Sequence, residues 1–384
     1  MAWDHPRGRD PLEAVSDRWR AGRSIEVQWD ARPLKDFEDQ PLEELATYYD
    51  LVLIDHPFVG TAARSGLIAA VDEWVDEAYL VDQTQNSAGP SYASYTWDGR
   101  QWALAIDAAC QVAAVRDDLL GPASAAGVPE DWLDVMGLAK ALRTAPSQMA
   151  MPLNPNHAYC AFLSLGLAQA GPGFWPRGGP VAEAAGLEAL EFLRELAEAL
   201  HPLSRDADPI AISDRMAASD EIAYVPLMFG YSNYARPGFR SRTLRFTNAP
   251  RGRGGRIGSV LGGVGLSLSA HSRVRAEAAD LARTIAAPKT QCGLYFEAGG
   301  QPGHGAAWAS QEVNRCIDGF FTAIHQTMQQ AFMRPRVPGH RLFQVEAGEL
   351  IHRFIWARDM QPAECLGRFE ALAEIRLNTG ENDA

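Results

Sequence analysis

The chain of 384 residues is 47% hydrophobic and 22% charged, the composition of a soluble globular protein long enough for two lobes with separate cores. Lys plus Arg number 35 against 48 Asp plus Glu, and this formal charge of -13 opposes general binding to nucleic acid or to an anionic membrane surface. No uninterrupted apolar run approaches the ~20 residues that cross a bilayer, and five scattered cysteines without Cys-x-x-Cys spacing imply neither a zinc site nor a disulfide framework.

Ala2 to His5 reads as a short first strand and Asp10 to about Ala21 as a helix with Leu12, Val15 and Trp19 on one face. Ser24 to Trp29 alternates as a second strand. Leu51 to Ile54 is an apolar run expected to form a buried third strand, with Asp55 to Gly60 as its turn and Thr61 to Ala70 as the returning helix of a parallel βαβ half-unit. Small ligands bind beyond the carboxyl ends of strands in open α/β sheets, which places Asp55, His56 and Phe58 where a ligand is expected. The alternative is that Asp55 caps the helix approach while His56 and Phe58 pack. Ser94 to Leu104 predicts a hairpin with Asp98-Gly99 at its turn. Helical patterns at Pro129 to Leu142 and Leu187 to Leu200 mark a second lobe. The tract Ala249 to Gly255 reads as a linker before an apolar Ser259 to Ser269 and a helix at Arg273 to Ala286, and from Val313 the pattern is mainly helical.

The chain lacks the motifs of several chemistries. Gly252 to Gly265 contains no Gly-x-Gly-x-x-Gly and is followed by no Gly-Lys-Ser/Thr, the nine histidines never occur as His-x-x-x-His, and no Gly-x-Ser-x-Gly elbow appears. No cofactor or metal is implied. Ten Trp, ten Tyr and 15 Phe remain, most densely at Phe229-Gly230-Tyr231-Ser232-Asn233-Tyr234. Aromatic faces stack on sugar rings while Asp, Asn and His bond hydroxyls, which suits a polar, uncharged ligand; ordinary packing is the competing explanation for any one of them.

In order and spacing, several segments resemble the family 1 extracellular solute-binding proteins of ABC importers, the group that includes the maltodextrin-binding protein. Tyr49 to Ile54 followed by Gly60 and Ser65 to Asp72 is similar to that family's strand, ligand turn and "sGlLapLd" helix end. Trp97 to Asp107 is similar to its "dGKvYglPyd" hairpin, Arg116 to Leu120 with Gly127 to Trp132 to its "rkDlf...G...P.tW" segment, and Leu261 to Ser269 to its "GGwglaIs" return strand. Gln291, Tyr295 and Pro302, then the break at Gln361 to Glu364, complete the likeness.

The resemblance implies an α/β, two-lobed periplasmic-binding-protein-like fold (type II), with lobe one at 1–107 plus 259–308 and lobe two at 108–258 plus 309–384. Crossings are expected at Ile106 to Ala109, at Pro250 to Gly258 and near Ala307 to Val313. It also implies a cleft formed by Asp4, His5 and Arg7, by Asp55, His56 and Phe58, and by Phe229, Tyr231 and Asn233, with Asp107, Asn156, His157 and Tyr159 as further contacts. If His5, Arg7 and His56 converge, the cleft is a positive pocket suited to a carboxylate or a phosphate-bearing sugar.

The function implied is non-enzymatic: capture of a sugar, polyol or small acid by a monomer that closes about a hinge and delivers it to a membrane permease. The location implied is periplasmic, or cytoplasmic if Met1 is the natural start, since the first residues lack a leader pattern. A cytosolic sensor on the same scaffold is one alternative. A thiaminase-like enzyme using Cys110 is another, and it needs a base and a depressed thiol pKa.

Overall fold

The computed structural model describes residues 2–32, 42–120, 127–176 and 179–377. Met1 and 378–384, inside the lobe ranges expected above, lie outside them. Strand β1 (Ala2–Trp3) pairs in parallel with β2 (Ala31–Arg32), and helix α1 (Pro6–Arg20) lies between them. Helix α1 begins at Pro6 rather than Asp10. Proline at the first helical position needs no amide partner, and His5 caps the helix, its Nδ1 accepting from Arg7 N at 3.0 Å. The expected strand at Ser24 to Trp29 does not form, because β1 offers ladder partners only to Ala31 and Arg32. Its alternation instead serves packing against α1, where Trp29 Nε1 donates to Ser16 Oγ at 2.9 Å.

Strand β3 (Leu51–Asp55) runs into a 3₁₀ turn at His56–Phe58 and then helix α2 (Val59–Ser65). That helix stops short of Ala70 because Gly66 adopts φ 67° and the chain extends into β4 (Ile68–Ala69). The hairpin of β5 (Thr96–Trp97) and β6 (Arg100–Gln101) turns through Asp98 and Gly99, both at positive φ, as a type I′ turn demands. Then follow β7 (Leu104–Ala105), β8 (Ala109–Val115), β9 (Gln148–Met149), β10 (Ile222–Phe229), β11 (Arg245–Thr247), β12 (Leu261–Gly262) and β13 (Val264–Ser269).

Two sheets result. In the first, β13 lies between β3 and β4, antiparallel to both, and also pairs with β7. The expected parallel half-unit is therefore split by a strand from two hundred residues later in the chain, with Val264 opposite Asp55. In the second sheet the order is β11-β8-β10-β9, and β12 joins β8. Helix α1 and helix α3 (Arg275–Ala286) cover the first sheet, burying Leu12, Leu53, Leu266 and Ile285 together. One face of the second sheet packs on Pro155–Ala170 and on helices His340–Ala357 and Pro362–Leu377 through Phe162, Tyr224, Phe343 and Phe369. Its other face packs through Val112, Met228, Phe320 and Phe321.

The chain crosses between sheets at Ile106 to Ala108 and returns at Gly263. Asp107 N donates to Val264 O at 3.2 Å and Val264 N to Asp107 O at 3.1 Å, so the two crossings are paired with each other. Gly263 has φ 107°, and a Cβ there would stand 2.3 Å from Asp107 O, so glycine is required. The return thus falls past the expected Pro250 to Gly258, since Leu261 and Gly262 still pair with Cys110 and Ala109 of the second sheet. The glycines of that tract permit close approach: a Cβ on Gly258 would lie 1.9 Å from Ser164 O. The helical pattern expected from Val313 is also interrupted. Residues Ala331 to Gly339 are non-helical, as Pro335 and Pro338 dictate.

Candidate functional site

A cleft of about 80 Å³ opens where the crossings meet the strand ends. Helix α1 contributes Arg7 from its first turn, β3 contributes Asp55 from its last residue, and the first crossing contributes Asp107. Asn154 caps the helix that begins at Pro155, its Oδ1 accepting from His157 N at 3.0 Å, which holds Asn156 and His157 at the cleft. In β10 the register slips between Val225 and Met228, around Pro226, and the bulged strand delivers Phe229 to the opening.

Two guanidinium–carboxylate pairs dominate the lining. Arg7 grips Asp107 with both arms, Nε to Oδ2 at 2.8 Å and Nη2 to Oδ1 at 2.5 Å, and its Nη1 donates to Gly230 O at 3.0 Å. Its Cζ lies 4.4 Å from the centre of the Tyr231 ring. Arg334 Nη2 donates to Asp55 Oδ2 at 2.9 Å, and its Nη1 to Gln344 Oε1 at 2.9 Å. Gln344 in turn donates to Asn156 Oδ1 at 2.7 Å.

Burial would raise the Asp55 carboxyl, but Arg334 and the His56 imidazole outweigh it and hold the group well below the usual carboxylate range. At Asp107 desolvation wins and the pKa moves up, although Arg7 pulls the other way. Arg7 itself is held cationic: burial opposes its charge, and Asp107 more than restores it.

The expected site residues divide into two groups. Arg7, Asp55, Asp107, Asn156, His157, Phe229 and Tyr231 line the cleft together. Asp55 both lines it and caps the turn, its Oδ1 accepting from His56 N at 2.8 Å, so the two readings of that residue coexist. Six others stand outside. Asp4 is exposed and paired with Arg9. His5 is the cap of α1, edge-on to Tyr231 with centroids 5.0 Å apart. His56 is buried beneath Asp55, its Nε2 accepting from Arg334 N at 3.3 Å. Phe58 caps α2 away from the lining. Tyr159 lies wholly in the second core, its hydroxyl 3.2 Å from His340 Nε2. Asn233 spends its amide on Gly299 O at 3.0 Å.

The positive pocket envisaged from His5, Arg7 and His56 does not exist. Burial, with Arg7 adding to it, holds His5 down at about 3, and burial holds His56 down at about 4 against the pull of Asp55. Both are neutral at neutral pH, and Arg7 is matched by Asp107.

Ala109 and Gly262 to Val264 contribute to the lining from the crossings, and Trp3, Pro209 and Arg334 complete it; none of these is among the expected site residues. The signal for Arg334 was Arg334-Pro335-Arg336-Val337-Pro338, two arginines in a segment that proline forbids from being helical. Cys110 is fully buried in β8, where burial pushes its thiol up to about 12, the opposite of an activated nucleophile. A larger hollow of about 440 Å³ lies against Trp19, Trp29 and Leu281; of its four lining carboxylates, Glu26, Asp30, Asp50 and Glu277, two are engaged, Asp30 by Tyr49 and Asp50 by Ser272.

Among solved structures, the chain is similar to maltose-bound MalE3 of T. maritima, with 17% identity, a TM-score of 0.82 and 95% of each chain covered. It is similar to a solute-binding protein of Agrobacterium radiobacter K84 in complex with ribitol, at 18% identity, TM-score 0.80 and 96% of each chain. A third likeness, at 16% identity, TM-score 0.82 and 96% of each chain, is to a protein of Thermotoga lettingae TMO bound with alpha-D-tagatose. The chain has the fold of ABC transporter solute-binding proteins. Neither a family model nor a curated protein matches its sequence. Within the solute-binding fold, the cleft described above occupies the junction of the two lobes, at the strand ends and at both crossings. No helix among the described residues is long and apolar enough to cross a membrane.

Proposed function

We propose that this protein is a solute-binding receptor of an ABC importer that captures a small polar solute, a carbohydrate or polyol, outside the cytoplasmic membrane. It acts as a monomer without chemistry of its own and hands the solute to a permease. One observation carries the reading: carboxylates, guanidiniums and aromatic rings from strands, helix α1, the first crossing and the segment around Arg334 converge on a cleft at the strand ends and inter-sheet crossings. Hydroxyl groups both donate and accept, and they match such alternating partners. The lobe boundaries proposed are those expected from sequence, with the second crossing moved to Gly263. The hinge then lies at Ile106 to Ala108 and Gly263.

A thermal-shift screen of sugars, polyols and small acids tests the reading. A ligand at a hundredfold excess over its dissociation constant stabilises the folded protein by about 2.7 kcal/mol. At least one sugar or polyol is expected to raise the melting temperature. A panel in which none does removes the proposal.

A further inference from the structure

The cleft also restricts which solute it can hold, and the restriction rests on the receptor reading above. The first constraint is size. At about 10–15 Å³ for each water-sized occupant, 80 Å³ admits roughly five to eight of them, the bulk of one sugar ring or one short polyol. The walls are already drawn together. Arg334 follows Phe332, whose amide donates to Ser259 O beside the second sheet, yet its guanidinium bonds Asp55 at the end of the first sheet. Arg7, from α1 against the first sheet, bonds Gly230 O at the end of β10 in the second. Arg336 extends the tie, its carbonyl accepting from Gly60 N at 3.1 Å and its Nη1 donating to Thr96 O at 2.6 Å. These dimensions therefore belong to lobes that have already met.

The second constraint is charge. Each guanidinium in the lining has its own carboxylate within 2.9 Å, and His157 beside them is held neutral by burial and by Arg334, at about 3. A carboxylate or phosphate on the solute would enter as an unmatched buried charge, which is costly.

The third is the pattern of open polar positions. Arg334 Nε is buried and has no hydrogen-bond partner among the described residues, so one donor awaits an oxygen. Asp107 accepts from Arg7 through both oxygens and its side chain is wholly buried, so it serves the cleft by fixing Arg7 rather than by meeting a hydroxyl. The Phe229 ring, half-buried at the opening, supplies apolar contact for ring C–H groups, while the Tyr231 ring is covered by Arg7.

We infer that the cleft takes one uncharged pentose, hexose or pentitol, with Arg334 Nε donating to a ligand oxygen, and rejects both oligosaccharides and anionic sugars. Calorimetric titration of the full chain tests this with three sets: neutral pentoses, hexoses and pentitols; maltose and maltotriose; glucuronate and glucose 6-phosphate. The tightest binder is expected in the first set, at least tenfold ahead of any member of the others. A disaccharide, trisaccharide or anionic sugar that binds as tightly overturns the inference and leaves the receptor reading standing. Silence across all three sets overturns both.

The second arm is Arg334→Lys, which keeps a cation opposite Asp55 and deletes the Nε donor. Affinity for the best neutral ligand is expected to fall about tenfold, with the melting curve of the ligand-free variant as the control for folding. Unchanged affinity in a folded variant overturns the Arg334 contact.

Discussion

At the scale of single residues, Asp55 holds three things at once: the His56 amide, the Arg334 guanidinium and a place in the cleft lining. We predict that Asp55→Ala weakens ligand binding by roughly ten- to a hundredfold, from about 1.5–3 kcal/mol of lost bonds to a charged group. The same change strands a guanidinium that is 3% exposed, at a cost of about 3 kcal/mol, so the melting temperature falls as well. Titration beside the melting curve separates the roles, and a lowered melting temperature with intact affinity would leave Asp55 a purely structural group. A second prediction concerns pH. His5, His56 and His157 have folded pKa values of about 3 to 4, below the ordinary 6.5, so the unfolded chain binds their protons first. Their stabilising contribution is complete above pH 6.5 and is lost as pH falls toward 4, with a limiting slope of about 1.4 kcal/mol per pH unit for each. Thermal melts between pH 7 and 4 should show this decline, and His157→Gln should make it shallower. A flat profile would mean that these rings stay solvated.

At the scale of elements, the segment from Phe332 to Gly339 reaches from the second sheet onto the first and back. It can do so only because α2 carries Gly60 where the backbone of Arg336 passes. A Cβ at Gly60 would stand 2.1 Å from Arg336 O. Gly60→Ala is therefore predicted to displace this strap, lower the melting temperature by a change worth about 1–3 kcal/mol as overpacking does, and weaken ligand binding through Arg334. Affinity that survives the substitution would show that the strap does not position the guanidinium. This element also marks the limit of what the sequence discloses. The apolar run of β3, the hairpin at Asp98-Gly99 and the amphipathic helices are local patterns, and they are legible. The pairing of β3 with β13 and the partnership of Asp55 with Arg334 join residues more than two hundred positions apart, which no local periodicity encodes. The family resemblance places Tyr159 and Asn233 at the cleft, and it follows chain position alone, whereas whether such a side chain faces a ligand or a core is set by packing from distant segments, as with His340 against Tyr159.

At the scale of the whole molecule, the lobes meet through Asp55–Arg334 and Arg7–Gly230. Arg334→Gln, which removes the charge on one side, is predicted to enlarge the radius of gyration of the ligand-free protein, with ligand restoring compaction. Small-angle scattering reads both states, and superimposable profiles for parent and variant would remove the tie from the account of closure. The matched charges carry one consequence further. The chain as a whole is strongly acidic at -13, yet the cleft sums to zero. Mobile ions screen exposed charges over about 10 Å at 0.1 M and gain little purchase on a neutral cleft and a neutral solute. The dissociation constant should therefore hold steady from dilute buffer to brine, and a receptor built this way would forage equally well in fresh water and in salt.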